Sequence, residues 1–200
     1  MNADPENDRV DLNLLQRGDD LALNRLIARW ERPLFAFAWR YVQNATDAHE
    51  LVAELFVRLY RHRLNLRPDT KLAAWLFTAL SNLCHNHHRW RSRHPTVSLD
   101  ETGALDIAEH ERPDMLATPG LGPGAAIDRD EALAALGAAI ERLPHELKVT
   151  VLLHYYEGFS HREVGAITGY SERGVETRLY RARQRLRAEL AEHLNETVRS

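Results

Sequence analysis

The stretch Ser160-His161-Arg162-Glu163, followed by Thr168-Gly169-Tyr170-Ser171 and then Val175 and Leu179, constrains this chain more tightly than any other. Ser160-x-x-Glu163 is a capping box, in which each side chain satisfies a free backbone N–H of the other residue. Gly169 supplies a turn, and Ser171 caps a second helix whose inward stripe is Val175, Leu179, Ala182 and Leu186. Two short helices joined this way form a helix-turn-helix. With the stripe inward, Arg173, Glu176, Thr177, Tyr180, Arg181 and Gln184 project outward. Such a helix offers its N-terminal half to base edges and its later cations to phosphates. Arg173, Glu176, Thr177 and Tyr180 are therefore the candidate base readers. Arg178, Arg181, Arg183, Arg185 and Arg187 are the candidates for phosphate contact.

A net charge of −3 looks wrong for a protein that touches DNA until it is divided along the chain. Residues 1–94 carry 14 Lys/Arg against 11 Asp/Glu, residues 95–143 carry 3 against 10, and residues 144–200 carry 9 against 8. The acid is concentrated in the middle, and local clusters set the field that DNA feels. That middle, from His94 to Gly124, holds prolines 95, 113, 119 and 123 and glycines 103, 120, 122 and 124. The segment breaks both helix and strand and predicts a flexible tether.

The flanks read as helical. Leu12 and Leu15 belong to a short helix stopped at Gly18, and Asp19 or Asp20 caps a second with Leu23, Leu26, Ile27 and Trp30 at helical spacing. Pro33 marks a helix start or a kink. Asn44 or Thr46 opens a third helix, and a fourth runs from Lys71 to about Arg91 after the turn Pro68-Asp69-Thr70. Beyond the tether, helices are expected from Ile127 to Arg142 and from Pro144 to Gly158. The fold class is all-α: two small helical domains, 1–94 and 127–200, joined by a flexible acidic linker, 95–126, with the helix-turn-helix in the second.

The fourth helix mixes aromatics, amides and cations: Trp75, Phe77, Asn82, His85, His88, Arg89, Trp90 and Arg91. That mixture suits unpaired bases, which stack on aromatic faces and hydrogen-bond through their edges. Within it, Cys84-His85-Asn86-His87-His88 has metal-ligand spacing on a helix, but no second cluster completes a tetrahedral set. No metal and no cofactor are expected. No nucleophile–base pair or phosphate loop points to an enzyme. One cysteine, the lack of any run of roughly 18 apolar residues, and a polar N-terminus unlike a signal peptide predict a cytoplasmic protein.

Three stretches together resemble the bacterial sigma factors, specifically the small extracytoplasmic-function group. Asp47-Ala48-His49-Glu50-Leu51 through Leu59-Tyr60 resembles the helix that grips the RNA polymerase clamp. Ala74-Trp75-Leu76 with Asn82 resembles the promoter-melting helix. Leu143-Pro144 through Arg183 resembles the fourth conserved region. The resemblance implies a promoter-specificity subunit of core RNA polymerase, with promoter DNA and an anti-sigma factor as further partners and no membrane insertion. It places Arg173, Glu176, Thr177, Tyr180, Arg181 and Arg183 on the −35 element. It places Asn65, Trp75, Asn82, His85, Arg89 and Arg91 on the −10 element, and Asp47, Glu50, Leu51, Glu54, Leu55 and Arg58 on the polymerase. The alternative is a stand-alone helix-turn-helix regulator, which has no use for the clamp-like helix. One departure stands out. Where the family carries a cation in the recognition helix this chain has Glu176, and a carboxylate there can accept a hydrogen bond from cytosine N4.

Overall fold

The computed structural model describes residues 5–67, 69–94 and 123–197, and among them there is helix and no strand. The expected linker lies outside the described residues as far as 122. From Pro123 onward the chain is already helical, so the linker ends earlier than 126.

Four helices make the N-terminal group: α1 (Pro5–Gln16), α2 (Asp20–Val42), α3 (Ala45–His62) and α4 (Leu72–Arg93), with a 3-10 turn at Arg63–Asn65. The α1 helix begins well before Leu12 because two of its acids face inward. Asp8 and Asp11 are buried, and Arg29 bridges both at 2.7 Å. Arg25 meets Asp11 at 2.7 Å, and the Trp30 indole donates to Asp8 at 3.0 Å. Burial alone would raise the Asp11 carboxyl, but the hydrogen bonds from Arg29 and Arg25 outweigh it and hold the group below its usual value. Those charges fix the register of α1 on α2. Asp19, not Asp20, caps α2, accepting from the Leu21 N–H at 3.0 Å.

Pro33 neither starts nor ends a helix, because α2 runs through it for 23 residues. An interior proline costs roughly 3 kcal/mol. Leu26, Trp30, Leu34, Phe37 and Tyr41 lie buried on both sides of it at spacings of three or four. Each contributes about 1.5–3 kcal/mol by burial, so the continuous stripe wins. Asn44 caps α3, accepting from the Asp47 N–H at 2.9 Å. The turn after α3 is pinned to α1 by the Gln16 amide, which donates to the carbonyls of Arg63 and Leu66 at 2.7 Å each.

The C-terminal group is α5 (Pro123–Glu141), α6 (His145–Val151), a π-helical turn at Leu152–Tyr156, α7 (His161–Thr168) and α8 (Glu172–Thr197). Pro144 stands at the N-cap of α6, one place before its first turn.

The two groups share a continuous core. Phe77 of α4 meets Trp30 and Phe37 edge-on within its own group and Phe159 across the joint, the last at 5.1 Å between ring centroids. Polar contacts surround this apolar centre. The Thr78 hydroxyl lies 2.9 Å from the Ile167 carbonyl, and the Tyr41 hydroxyl hydrogen-bonds His145 Nδ1 at 2.8 Å. The His85 and His145 rings lie 4.0 Å apart, and the Lys148 ammonium sits 4.5 Å from the Tyr41 ring centroid. Arg40 pairs with Glu157 at 3.3 Å, both largely withdrawn from solvent.

Burial pushes the Glu157 carboxyl up to about 7 from 4.5, against the lowering pull of Arg40. A carboxyl raised in the folded state contributes stability that is complete below its unfolded value and is lost as pH rises through the folded one. Glutamine stays neutral throughout. Glu157→Gln should therefore gain on the wild type by up to about 3 kcal/mol on going from pH 5 to pH 8, as read by denaturant unfolding. A difference that is the same at both pH values would refute a raised carboxyl.

Candidate nucleic-acid interface

The helix-turn-helix forms as the local chemistry dictates. Ser160 Oγ accepts from the Glu163 N–H at 3.3 Å, and Glu163 returns the bond to the Ser160 N–H at 2.9 Å. The Ser160 hydroxyl, which donates to the Glu163 carboxylate at 2.7 Å, and the Ser160 N–H together hold that carboxyl below its usual value. Gly169 ends α7 in the left-handed region with φ at +78°, where a side chain would be strained. Gly165 matters as much, for a different reason. A Cβ there would sit 2.6 Å from the Tyr170 carbonyl oxygen, so the turn closes only because that carbon is missing. The sequence hint was a small residue between Val164 and Ile167, both inward-facing. Ser171 then accepts from the Gly174 N–H at 3.2 Å, and Val175, Leu179 and Ala182 pack inward.

Arg173, Glu176, Thr177, Tyr180, Arg181 and Arg183 all lie exposed on α8, Tyr180 at 59%. Glu176 does not stand alone: its carboxylate lies 3.6 Å from His161 Nδ1, at the start of α7. Arg178 departs from the phosphate-contact expectation. Its guanidinium stacks 3.3 Å from the Tyr170 ring centroid, donates to the Gly174 carbonyl at 3.2 Å and reaches Glu146 at 3.4 Å. It braces the turn against α6 and does not face outward.

On α4 the expected residues separate. Asn82 and Arg89 are exposed, Trp75 is half-buried, and Asn65 is exposed in the 3-10 turn. His85 faces His145 and is half-covered by it. Arg91 is exposed but paired with Asp47, which also has His87 at 3.7 Å. Trp90 is 55% exposed and stacked on His94, a free aromatic face within the basic end of the helix. An aromatic between Arg89 and Arg91 was the signal that could have singled it out. The Cys84–His88 run does not converge. Cys84 lies in the core with its thiol pushed up to about 12 by burial, while His85 and His87 face different neighbours.

The polymerase-facing set needs correction at two positions. Leu51 is 5% exposed and Leu55 is 0% exposed, so both belong to the core and offer nothing to a partner. Helical spacing put them on the inner side of α3, and the outer side carries Glu50, Ala53, Glu54, Val57 and Arg58. Glu54 and Arg58 pair at 3.0 Å. Beside them runs an apolar groove of about 750 Å³ between α2 and α3, floored by Leu23, Ile27, Val52 and Phe56.

Two family models match the chain, one in each helical group. Residues 26–94 match the family model for Sigma-70 region 2, and residues 133–186 match that for Sigma-70, region 4. The chain is 33% identical to the ECF RNA polymerase sigma factor SigE of Mycolicibacterium smegmatis, over 92% of this chain and 68% of that protein. It is 28% identical to the RNA polymerase sigma-H factor of Pseudomonas aeruginosa, over 90% and 91% of the two chains. Among solved structures, CnrH in complex with the cytosolic domain of CnrY superposes with a TM-score of 0.62 at 22% identity, covering 93% of this chain and 98% of that one. The sigma factor RpoE of Bartonella quintana, in complex with the anti-sigma factor NepR, gives 0.60 at 24% identity, covering 84% and 96%. With regions 2 and 4 in order and a relative 33% identical over 92% of this chain and 68% of its own length, the chain belongs to the extracytoplasmic-function (ECF) family of RNA polymerase sigma factors.

Proposed function

We propose that α8 reads the −35 element as duplex, that α4 and the turn before it hold the −10 element once melted, and that the outer face of α3 with its neighbouring groove meets core polymerase. The chain is a sigma factor, not an enzyme: it binds core RNA polymerase and directs it to promoters. The observation that carries the reading is the presence, in one chain, of two separate helices with exposed nucleic-acid chemistry. Asn82, Arg89 and Trp90 stand on one, and Arg173, Thr177 and Arg181 on the other. A lone regulator needs only the second.

Base stacking on an exposed aromatic contributes about 1–3 kcal/mol per base, which suits Trp90 to a melted strand. Glu176 suits a base pair that presents cytosine N4 in the major groove. An anti-sigma factor is the further partner proposed, as named in the complex with the Bartonella relative. The site of action proposed is the cytoplasm; no helix among the described residues is long and apolar enough to cross a membrane.

Core polymerase given this chain should produce a defined transcript from promoters selected out of a randomised template pool, whereas core alone should not. Transcripts independent of the chain would end the sigma reading for this protein. Glu176→Lys should change the preferred base pair at one −35 position by about 1–3 kcal/mol, measured by selection on duplexes randomised across that element. An unchanged preference would remove Glu176 from base reading. Arg181→Ala should lower the salt slope of duplex binding by about 0.9, as loss of one phosphate contact does. Arg178→Ala should leave that slope intact and lower the melting temperature instead.

A further inference from the structure

Of the four tryptophans in the chain, Trp90 alone is exposed. Trp30 is buried in the core and Trp39 and Trp75 are half-covered, whereas Trp90 keeps 55% of its surface. It stands where α4 runs past the helices that support it. The last buried residue of α4 is Cys84, and from His88 to Arg93 every position is exposed. This overhang is nonetheless held in place. Arg91 ties it to Asp47 at the start of α3, and the Ser92 hydroxyl donates to the His88 carbonyl at 2.9 Å.

His94 closes the helix and also backs the indole. Its backbone N–H reaches the Trp90 carbonyl at 3.0 Å, and its Nδ1 lies 3.1 Å from the same oxygen. A carbonyl only accepts, so Nδ1 carries the proton and the imidazole is anchored. There it stacks on Trp90, with centroids 5.2 Å apart and planes 24° from parallel. One face of the indole is thus covered, and the ring is ordered before any ligand arrives, which spares the cost of ordering it on binding. Arg89 and Arg93, one turn apart, flank it, and neither has an ion-pair partner among the described residues. An open aromatic face between two uncommitted cations suits an unpaired nucleotide, whose base stacks on the ring while its phosphates meet the arginines. Paired bases already stack on one another and have no face to offer. Trp90 lies eight residues beyond Asn82. That is roughly 12 Å along the axis at about 1.5 Å per residue. Nucleotides follow one another at about 3.4 Å when stacked and roughly twice that when stretched, so about two to four of them span the gap.

We propose that Trp90 and His94 form a second base-stacking subsite for the melted strand, about two to four nucleotides from the base held at Asn82, in which Trp90 carries the base and His94 is its positioning residue. The inference rests on the sigma-factor reading for the strand that reaches it.

The test uses the full chain assembled with core polymerase and the non-template strand of a promoter it selects. 2-Aminopurine, a fluorescent base quenched on stacking, replaces one base at a time across the −10 element and its flanks. One position, about two to four nucleotides from the one whose base preference Asn82→Ala relaxes, should be quenched by the wild type and released by Trp90→Ala. The same variant should weaken strand binding at least about fivefold. His94→Ala should lose about two- to threefold and part of the quenching, and His94→Phe, which keeps the stack, should recover both. Both side chains lie at the surface, and circular dichroism checks that each variant keeps its helices. Quenching at no position that depends on Trp90, His94→Ala matching the wild type, or a loss of core polymerase affinity in place of strand affinity would each overturn the subsite. Failure of the sigma reading shows separately, as a wild type that gives core polymerase no promoter.

Discussion

The edge-to-face meeting of Phe77 with Phe159 turns two small helical groups into one folded body. Neither group is large, and a domain of under a hundred residues buries a modest share of its surface on its own. Phe77 already fills the centre of the first group, against Trp30 and Phe37. By presenting another edge to Phe159, it lends the same ring to the second. The polar contacts of the joint surround it.

Charge does the complementary work at the other end of the N-terminal group. Two buried aspartates on α1 are met by two arginines and an indole N–H from α2. A buried ion network of this kind specifies alignment more than it adds stability, because the desolvation of the charges offsets most of their attraction. Its value here is positional. With α1 set on α2, the Gln16 amide reaches the Arg63 and Leu66 carbonyls and holds the turn that precedes α4.

Much of this was legible beforehand because it is local. The capping box, the Gly169 turn and the stripe of Val175, Leu179 and Ala182 each depend on residues within a few positions, and each formed as expected. What was not legible depends on distant partners. Asp8 and Asp11 look like ordinary surface acids until Arg25 and Arg29 of α2 come opposite them. Arg178 looks like a phosphate ligand until Tyr170 and Glu146 surround it. Gly165 looks like an idle glycine until the Tyr170 carbonyl approaches. Leu51 and Leu55 are different: their helical spacing already points them inward, although the family motif includes them. The division of one chain into regions 2 and 4 came from motif order, which periodicity alone does not supply.

Bracing the turn with Arg178 has a consequence for how the protein uses DNA. The α8 helix is rich in arginine, yet Arg178 is engaged inside the protein and Glu176 subtracts from the others on the exposed side. Five arginines, 173, 181, 183, 185 and 187, stay exposed on α8, and the contact proposed with duplex rests on them. Tethering changes the arithmetic, since a second weak contact made within one assembly benefits from a high effective concentration. On the function proposed above, occupancy depends on both DNA elements together. On that function, a promoter that offers both elements is held longer than one that offers either alone.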